Sequence, residues 1–259
     1  MGSSWSAHYE SPIVIILRNI HFPAACFDEI DVAVQLSLTE KGAARLVVFN
    51  AHAVDPNAIP PNAIVYNFEN VGIQIPTSSF PGRTIWDFSR RNVERWRADG
   101  RDATYVPVGY HASMTRFKPL PWRERDIDVV FFGYRNDRRS HLMQQLKALG
   151  LRTAMIENAY GPDRDRILAR SRIALNMLFY ENGVFPTLRS AHLASNRIVT
   201  ISETANDVPA WVYPPPVRYD QIIDRVLTVV REGEEGNARE AQAAFESFAA
   251  SPLRLPAVV

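Results

Sequence analysis

Residues 173–203 read IALNMLFYENGVFPTLRSAHLASNRIVTISE, and this stretch restricts the possible folds more than any other in the chain. Residues 173–178 form an apolar run with the length and composition of a buried strand. A polar turn follows at Tyr180, Glu181, Asn182 and Gly183. Helical spacing then runs through Val184, Leu188, Ala191 and Ala194, and residues 198–201 read as a second strand. Strand, turn, helix, strand is a βαβ unit, whose crossover makes the two strands parallel. In an open parallel sheet, ligands collect at the carboxyl ends of the strands. The acidic, glycine-containing turn is therefore where small-molecule chemistry is expected.

The same alternation recurs along the chain. Residues 12–17 (PIVIIL) predict a first strand, the turn after it carries His21, residues 24–39 have helical spacing, and residues 45–49 predict a second strand. Further strands are expected at 63–68 and 103–106, with a helix over 90–98 that Ser89 caps and Gly100 closes. Residues 113–125 hold prolines and charges without periodicity and read as a linker. The alternation then restarts with a strand at 127–132, a helix from about 140 to 149, a strand at 152–156 and a helix starting at Pro162. An amphipathic helix over 220–231 should end at Gly233 and Gly236, with another helix in 237–248. The expected organisation is α/β, with two Rossmann-like doubly wound domains, 12–112 and 126–236, facing each other across a cleft. Residues 237–259 form a closing helix and tail.

Composition removes several function classes. Lys plus Arg is 29 against 28 for Asp plus Glu, which argues against a nucleic-acid binder. Arginine greatly outnumbers lysine, as bidentate phosphate contacts or a GC-rich genome would both produce. Cys26 is the only cysteine, so no internal disulfide forms and a reducing compartment is expected. The chain has no run of 18 apolar residues and no basic-then-apolar leader, so it is expected to be cytoplasmic, with at most peripheral membrane contact. The six histidines are dispersed without metal-ligand spacing, so no metal is expected. G-x-G-x-x-G, Walker A and G-x-S-x-G patterns are absent, which disfavours dinucleotide, P-loop and serine-hydrolase chemistry.

The candidate site residues follow from position. The turn at 133–139 offers Gly133 for close backbone approach, Asn136 as a donor, and Arg138 and Arg139 at a helix start. Together these suit a diphosphate, although paired arginines on a helix are commonly a solvated face. Glu181 can accept two sugar hydroxyls, or can simply favour a helix dipole. Gly183, the N–H groups of Val184 and Phe185, and Arg189 could meet phosphate, and Glu203 is a second crevice acid. On the first unit, His21, Glu69 and Asp87 fall beside strand ends. For Asp87 a helix cap or an arginine pair is the simpler role.

Taken together, the motifs resemble the bacterial GT-B-fold glycosyltransferases related to families 1 and 4, of polysaccharide gene clusters. The matching pieces are W-D-F-S-R-R-N (86–92), V-P-V-G-Y (106–110), D-I-D-V-V-F-F-G (126–133), N-D-R-R (136–139) and R-I-L-A-R-S-R-I-A-L-N (166–176). They continue with F-Y-E (179–181), L-R-S-A-H-L-A-S-N-R (188–197) and I-S-E (201–203), and more loosely with N-I-H-F (19–22) and Y-N-F-E (66–69). The resemblance implies that the second domain binds a nucleotide-sugar donor and the first an acceptor glycan, lipid-linked sugar or small molecule. It implies metal-independent transfer without a cofactor, in which positive groups stabilise the departing diphosphate. His21 and Glu69 are then the catalytic candidates on the acceptor side. Many retaining relatives carry two glutamates eight positions apart; here the first is Glu181 and the second position holds Arg189. A catalytically silent binding module and a nucleotide-sugar epimerase are the alternatives on the same fold.

Overall fold

The computed structural model describes residues 16–17, 46–49, 51–53 and 59–256. His21, Cys26 and the helix expected over 24–39 lie outside them. Two parallel sheets account for the strands. The first has β1 (Ile16–Leu17), β2 (Val47–Phe49), β3 (Ile64–Asn67), β4 (Thr84–Asp87) and β5 (Ala103–Tyr105), side by side in chain order. One helix, α1 (Arg90–Ala98), packs on β4 and β5. The second sheet alternates strictly with its helices: β6 (Ile127–Phe132), α2 (Asp137–Ala148), β7 (Thr153–Ile156), α3 (Gly161–Ala169), β8 (Ser171–Asn176), α4 (Thr187–Ser195) and β9 (Val199–Ser202). Its order is β7-β6-β8-β9, all parallel. The chain leaves β6 toward one neighbour and returns on its other side, so a crevice must open at the end of β6. Gly133 sits there.

The strands are continuous apolar runs because both faces are covered. Val129, Val130 and Phe131 on β6 and Ile173, Ala174 and Leu175 on β8 are fully buried. The core is not divided cleanly between the sheets: Tyr66, Trp86 and Phe88 of the first share one apolar cluster with Val184, Ala191, Ala194, Trp211 and Phe248. After the last helix, α5 (Ile222–Ala249), the tail returns to the first sheet, where Tyr110 N donates to the Ser251 carbonyl at 2.8 Å and Leu253 N to the Tyr110 carbonyl at 2.9 Å. A Cβ on Gly109 would lie 2.5 Å from the Leu253 backbone, so only glycine admits this crossing.

Two boundaries differ from expectation. The two expected C-terminal helices are present and meet at a kink at Gly233 (φ 64°, ψ −155°), where the first ends as expected. Asn237 Nδ2 bridges the break by donating to the Val229 and Gly233 carbonyls at 2.9 and 2.6 Å, so Gly236 stays helical. α2 starts three residues early because Asn136 caps it, accepting from Arg139 N at 2.9 Å. α4 starts three residues late, at Thr187, with Pro186 as its N-cap. Among the described residues, no helix is long and apolar enough to cross a membrane.

Candidate functional site

A cavity of about 470 Å³ lies between the strand ends of the two sheets. The loop after β3 lines one wall with Phe68, Glu69, Asn70 and Gln74, and Phe88 after β4 completes it. The other wall comes from Tyr134, Arg135, Arg139, residues 178–180 and residues 183–189.

The second wall is cationic for structural reasons. Pro186 gives the N-terminus of α4 no side-chain cap, so the first-turn N–H groups of Leu188 and Arg189 have no partner within their helix. The Arg189 guanidinium lies at the end of β8, donating to Asn176 Oδ1 at 3.2 Å and to the Met177 carbonyl at 3.1 Å. Its Nε is buried without a hydrogen bond. Gly133 makes room for it: at φ 132°, a Cβ there would stand 2.7 Å from Arg189 Nη2. Arg139 is buried beside it, donating to the carbonyls of Tyr134, Met177 and Leu178 at 2.6, 2.7 and 3.1 Å. Both guanidiniums lie over the Phe131 ring, at 4.7 Å for Arg139 and 5.0 Å for Arg189. Neither has a carboxylate at ion-pair distance among the described residues. Burial, and then the charge of Arg139, brings the pKa of Arg189 down to about 9. Burial brings Arg139 down to about 10, with Glu203 opposing and Arg138 adding to the shift. Two poorly compensated cations beside an uncapped helix N-terminus are an arrangement whose charge and donors suit an anion.

Several expected donor contacts are already used inside the protein. Arg138 and Glu203 grip each other bidentately, one contact being Nη1 to Oε2 at 2.8 Å. Glu203, only 4% exposed, also accepts from Leu178 N at 3.0 Å. The Arg138 guanidinium stacks 3.7 Å from the Tyr219 ring centroid. This pair fastens α2 to the end of β9, and neither residue lines this cavity; Arg138, expected at diphosphate, and Glu203, expected at sugar hydroxyls, are here each other's partners. Glu181 has 81% of its side chain exposed, 3.8 Å from Arg138 Nε, on an open surface outside the cavity. Val184 N donates to Asn70 Oδ1 at 2.6 Å and Phe185 N to the Asn206 carbonyl at 3.2 Å, so both amides expected at phosphate already have partners within the protein. The donors that remain are one turn later, because Pro186 delays the helix. Asn136 is a cap whose Nδ2 donates to the Phe179 carbonyl at 3.1 Å. Gly183 does line the cavity.

On the first wall, Glu69 is held from behind. Its N–H donates to Asn67 Oδ1 at 3.2 Å, and its carbonyl accepts from Asn67 Nδ2 and Asn92 Nδ2 at 3.0 and 2.8 Å. Burial pushes its carboxyl up to about 7, opposed by a hydrogen bond with Gln74. Asp87 is 0% exposed and does not line the crevice. Its partners are Asn67, Ser89 N, Asn92 and the Trp96 indole; no arginine is among them. Sequence reading missed the amide pair Asn67 and Asn92, since two asparagines 25 positions apart carry no periodic signal.

No protein-family profile matches the chain, and no curated protein matches it. Solved structures do. A point mutant of Staphylococcus aureus TarM, in complex with fondaparinux, α-GlcNAc-glycerol and UDP, superposes with a TM-score of 0.52 at 9% identity, over 78% of this chain and 51% of its own. An α1,3-fucosyltransferase with GDP-fucose superposes with a TM-score of 0.50 at 9% identity, over 93% of this chain and 85% of its own. The fold is that of the GT-B glycosyltransferases. The present chain thus spans about half the length of TarM. At such identity the likeness carries the architecture, and residue roles must come from this chain's own geometry.

Proposed function

We propose that this GT-B protein transfers a glycosyl group from a nucleoside-diphosphate sugar to an acceptor hydroxyl. The observation that carries the reading is the pair of guanidiniums, of buried Arg139 and half-buried Arg189, at the uncapped start of α4, facing Glu69 across one cavity. The donor's diphosphate lies against Arg189 and the Leu188 and Arg189 amides. A second cavity, about 140 Å³ and lined by Gly133, Tyr134, Glu157 and Tyr160 at the ends of β6 and β7, takes the nucleoside. The acceptor oxygen attacks the anomeric carbon as the carbon–oxygen bond to the diphosphate breaks. The bonding pair leaves with the diphosphate, and the acceptor proton passes to the Glu69 carboxylate. The two guanidiniums supply the positive charge that a metal ion would otherwise provide, so transfer is proposed to be metal-independent. His21 is the other acceptor-side candidate. A cytoplasmic setting belongs to the same proposal.

A thermal-shift panel of UDP, GDP, CMP and TDP tests the reading. A ligand at 100 times its Kd stabilises by about 2.7 kcal/mol, or about 5 to 10 °C for a chain of this size. A shift from none of the four would refute donor binding and favour a catalytically silent, partner-binding module.

A further inference from the structure

Behind Glu69 stands a buried acid that takes no part in the cavity. We infer that Asp87 is a positioning residue for Glu69, acting through the side-chain amides of Asn67 and Asn92. The inference rests on the reading of Glu69 as the proton acceptor.

The geometry is a double bridge. Asn67 Nδ2 donates to Asp87 Oδ2 at 2.7 Å and to the Glu69 carbonyl at 3.0 Å. Asn92 Nδ2 donates to Asp87 Oδ1 at 3.1 Å and to the same carbonyl at 2.8 Å. Each amide has two N–H bonds, and each spends one on Asp87 and one on Glu69. The two carboxylate oxygens therefore set the plane and spacing of both amides, and the amides converge on one main-chain oxygen. Asp87 is itself held by Ser89 N at 2.9 Å on Oδ1 and by Trp96 Nε1 at 2.9 Å on Oδ2. The remaining amide oxygens continue the grip: Asn67 Oδ1 accepts from Glu69 N at 3.2 Å and Asn92 Oδ1 from Val71 N at 3.2 Å. Asp87 and Asn92 are fully buried and Asn67 is 4% exposed, so water does not compete.

Only a carboxylate satisfies this position. Four donors converge on Asp87, and a carboxylate offers acceptor sites without a hydrogen of its own. An amide at 87 would turn an NH₂ toward two donors and push at least one bridging asparagine away. Burial raises the Asp87 carboxyl to about 7 against the pull of its four hydrogen bonds, and once ionised it also polarises both amides, strengthening their second bonds to Glu69. A purely structural carboxylate could be satisfied by any donors; here two of the four are shared with the residue proposed to receive the proton.

The test is a cycle of Asp87→Asn and Glu69→Gln, read as nucleoside diphosphate released from UDP-glucose, UDP-N-acetylglucosamine and GDP-fucose. Glu69→Gln should lower kcat roughly 100- to 10,000-fold. Asp87→Asn should lower it about 10- to 100-fold, as small misplacements of catalytic groups do, with Kd for UDP or GDP within about twofold of wild type. In the Glu69→Gln background, Asp87→Asn should add nothing further. An Asp87→Asn protein with wild-type kcat, or a drop that multiplies in full onto Glu69→Gln, overturns the inference. If Glu69→Gln keeps its rate, the proton-acceptor reading fails and this one falls with it. Should Asp87→Asn not fold, Asn92→Ala replaces it with the same expectations. A substrate-free readout accompanies both: exchange of the Glu69 and Val71 amide protons should speed at least about tenfold relative to β3 amides. Unchanged relative protection rejects the clamp.

Discussion

Replacing Arg189 with methionine tests the site most directly, because it should move stability and binding in opposite directions. The side chain's pKa is held at about 9 against an ordinary 12.5. That gap corresponds to about 5 kcal/mol of unfavourable charging at any pH below 9. Methionine removes the charge and keeps an unbranched, though shorter, side chain. Lost with the charge are two hydrogen bonds, to Asn176 Oδ1 and the Met177 carbonyl, together worth about 3 kcal/mol. The expected net gain is about 2 kcal/mol, or about 4 to 8 °C in Tm for the ligand-free protein. Binding should suffer, since a desolvated cation facing a phosphate contributes about 2 to 4 kcal/mol. The Kd of the nucleoside diphosphate should therefore rise roughly 30- to 700-fold. Differential scanning fluorimetry without ligand and isothermal titration with UDP and GDP measure the two halves separately. A variant that melts lower than wild type and binds as tightly would refute the claim that stability is given up here for an anion.

Four further outcomes follow from the same geometry. Glu69, raised to about 7 by burial, should place the ascending limb of kcat/KM near pH 7, and Glu69→Gln should abolish that limb. Since the folded carboxyl holds its proton more tightly than the ordinary value of 4.5, stability should fall as pH rises from about 4.5 to about 7. Burial raises Asp87 to about 7 as well, so urea midpoints of Glu69→Gln should show a shallower slope than wild type, and an identical slope would reject the assignment. Gly133→Ala, with its Cβ set 2.7 Å from Arg189 Nη2 at φ 132°, should destabilise by about 1 to 3 kcal/mol and weaken UDP or GDP binding; titration with unchanged affinity would contradict it. Arg138→Ala strands the buried Glu203 carboxylate and should destabilise by about 3 to 5 kcal/mol while affecting diphosphate affinity far less than Arg189→Met; the reverse ranking by calorimetry would return Arg138 to the site.

What local pattern determines in this protein is the kind and order of its elements. Apolar runs at 127–132 and 173–178, each followed by a polar turn and a helical period, specify parallel strands buried on both faces, and so the cleft at their ends. The motifs W-D-F-S-R-R-N and N-D-R-R point to the GT-B fold that the two sheets display. The tertiary structure decided which charged groups remain available to a ligand. Arg138 and Arg139 are neighbours with equal local credentials, yet Arg138 is claimed by Glu203, 65 positions away, while Arg139 turns inward over Phe131. The Val184 amide reads as a phosphate donor until Asn70, from the other sheet, accepts from it. Asp87 and Glu69 are both acids beside strand ends; four converging donors bury one, and the other is left facing the cavity. Periodicity is set by neighbours a few residues apart, whereas the partner of a buried charge is set by whichever distant strand end the fold brings beside it.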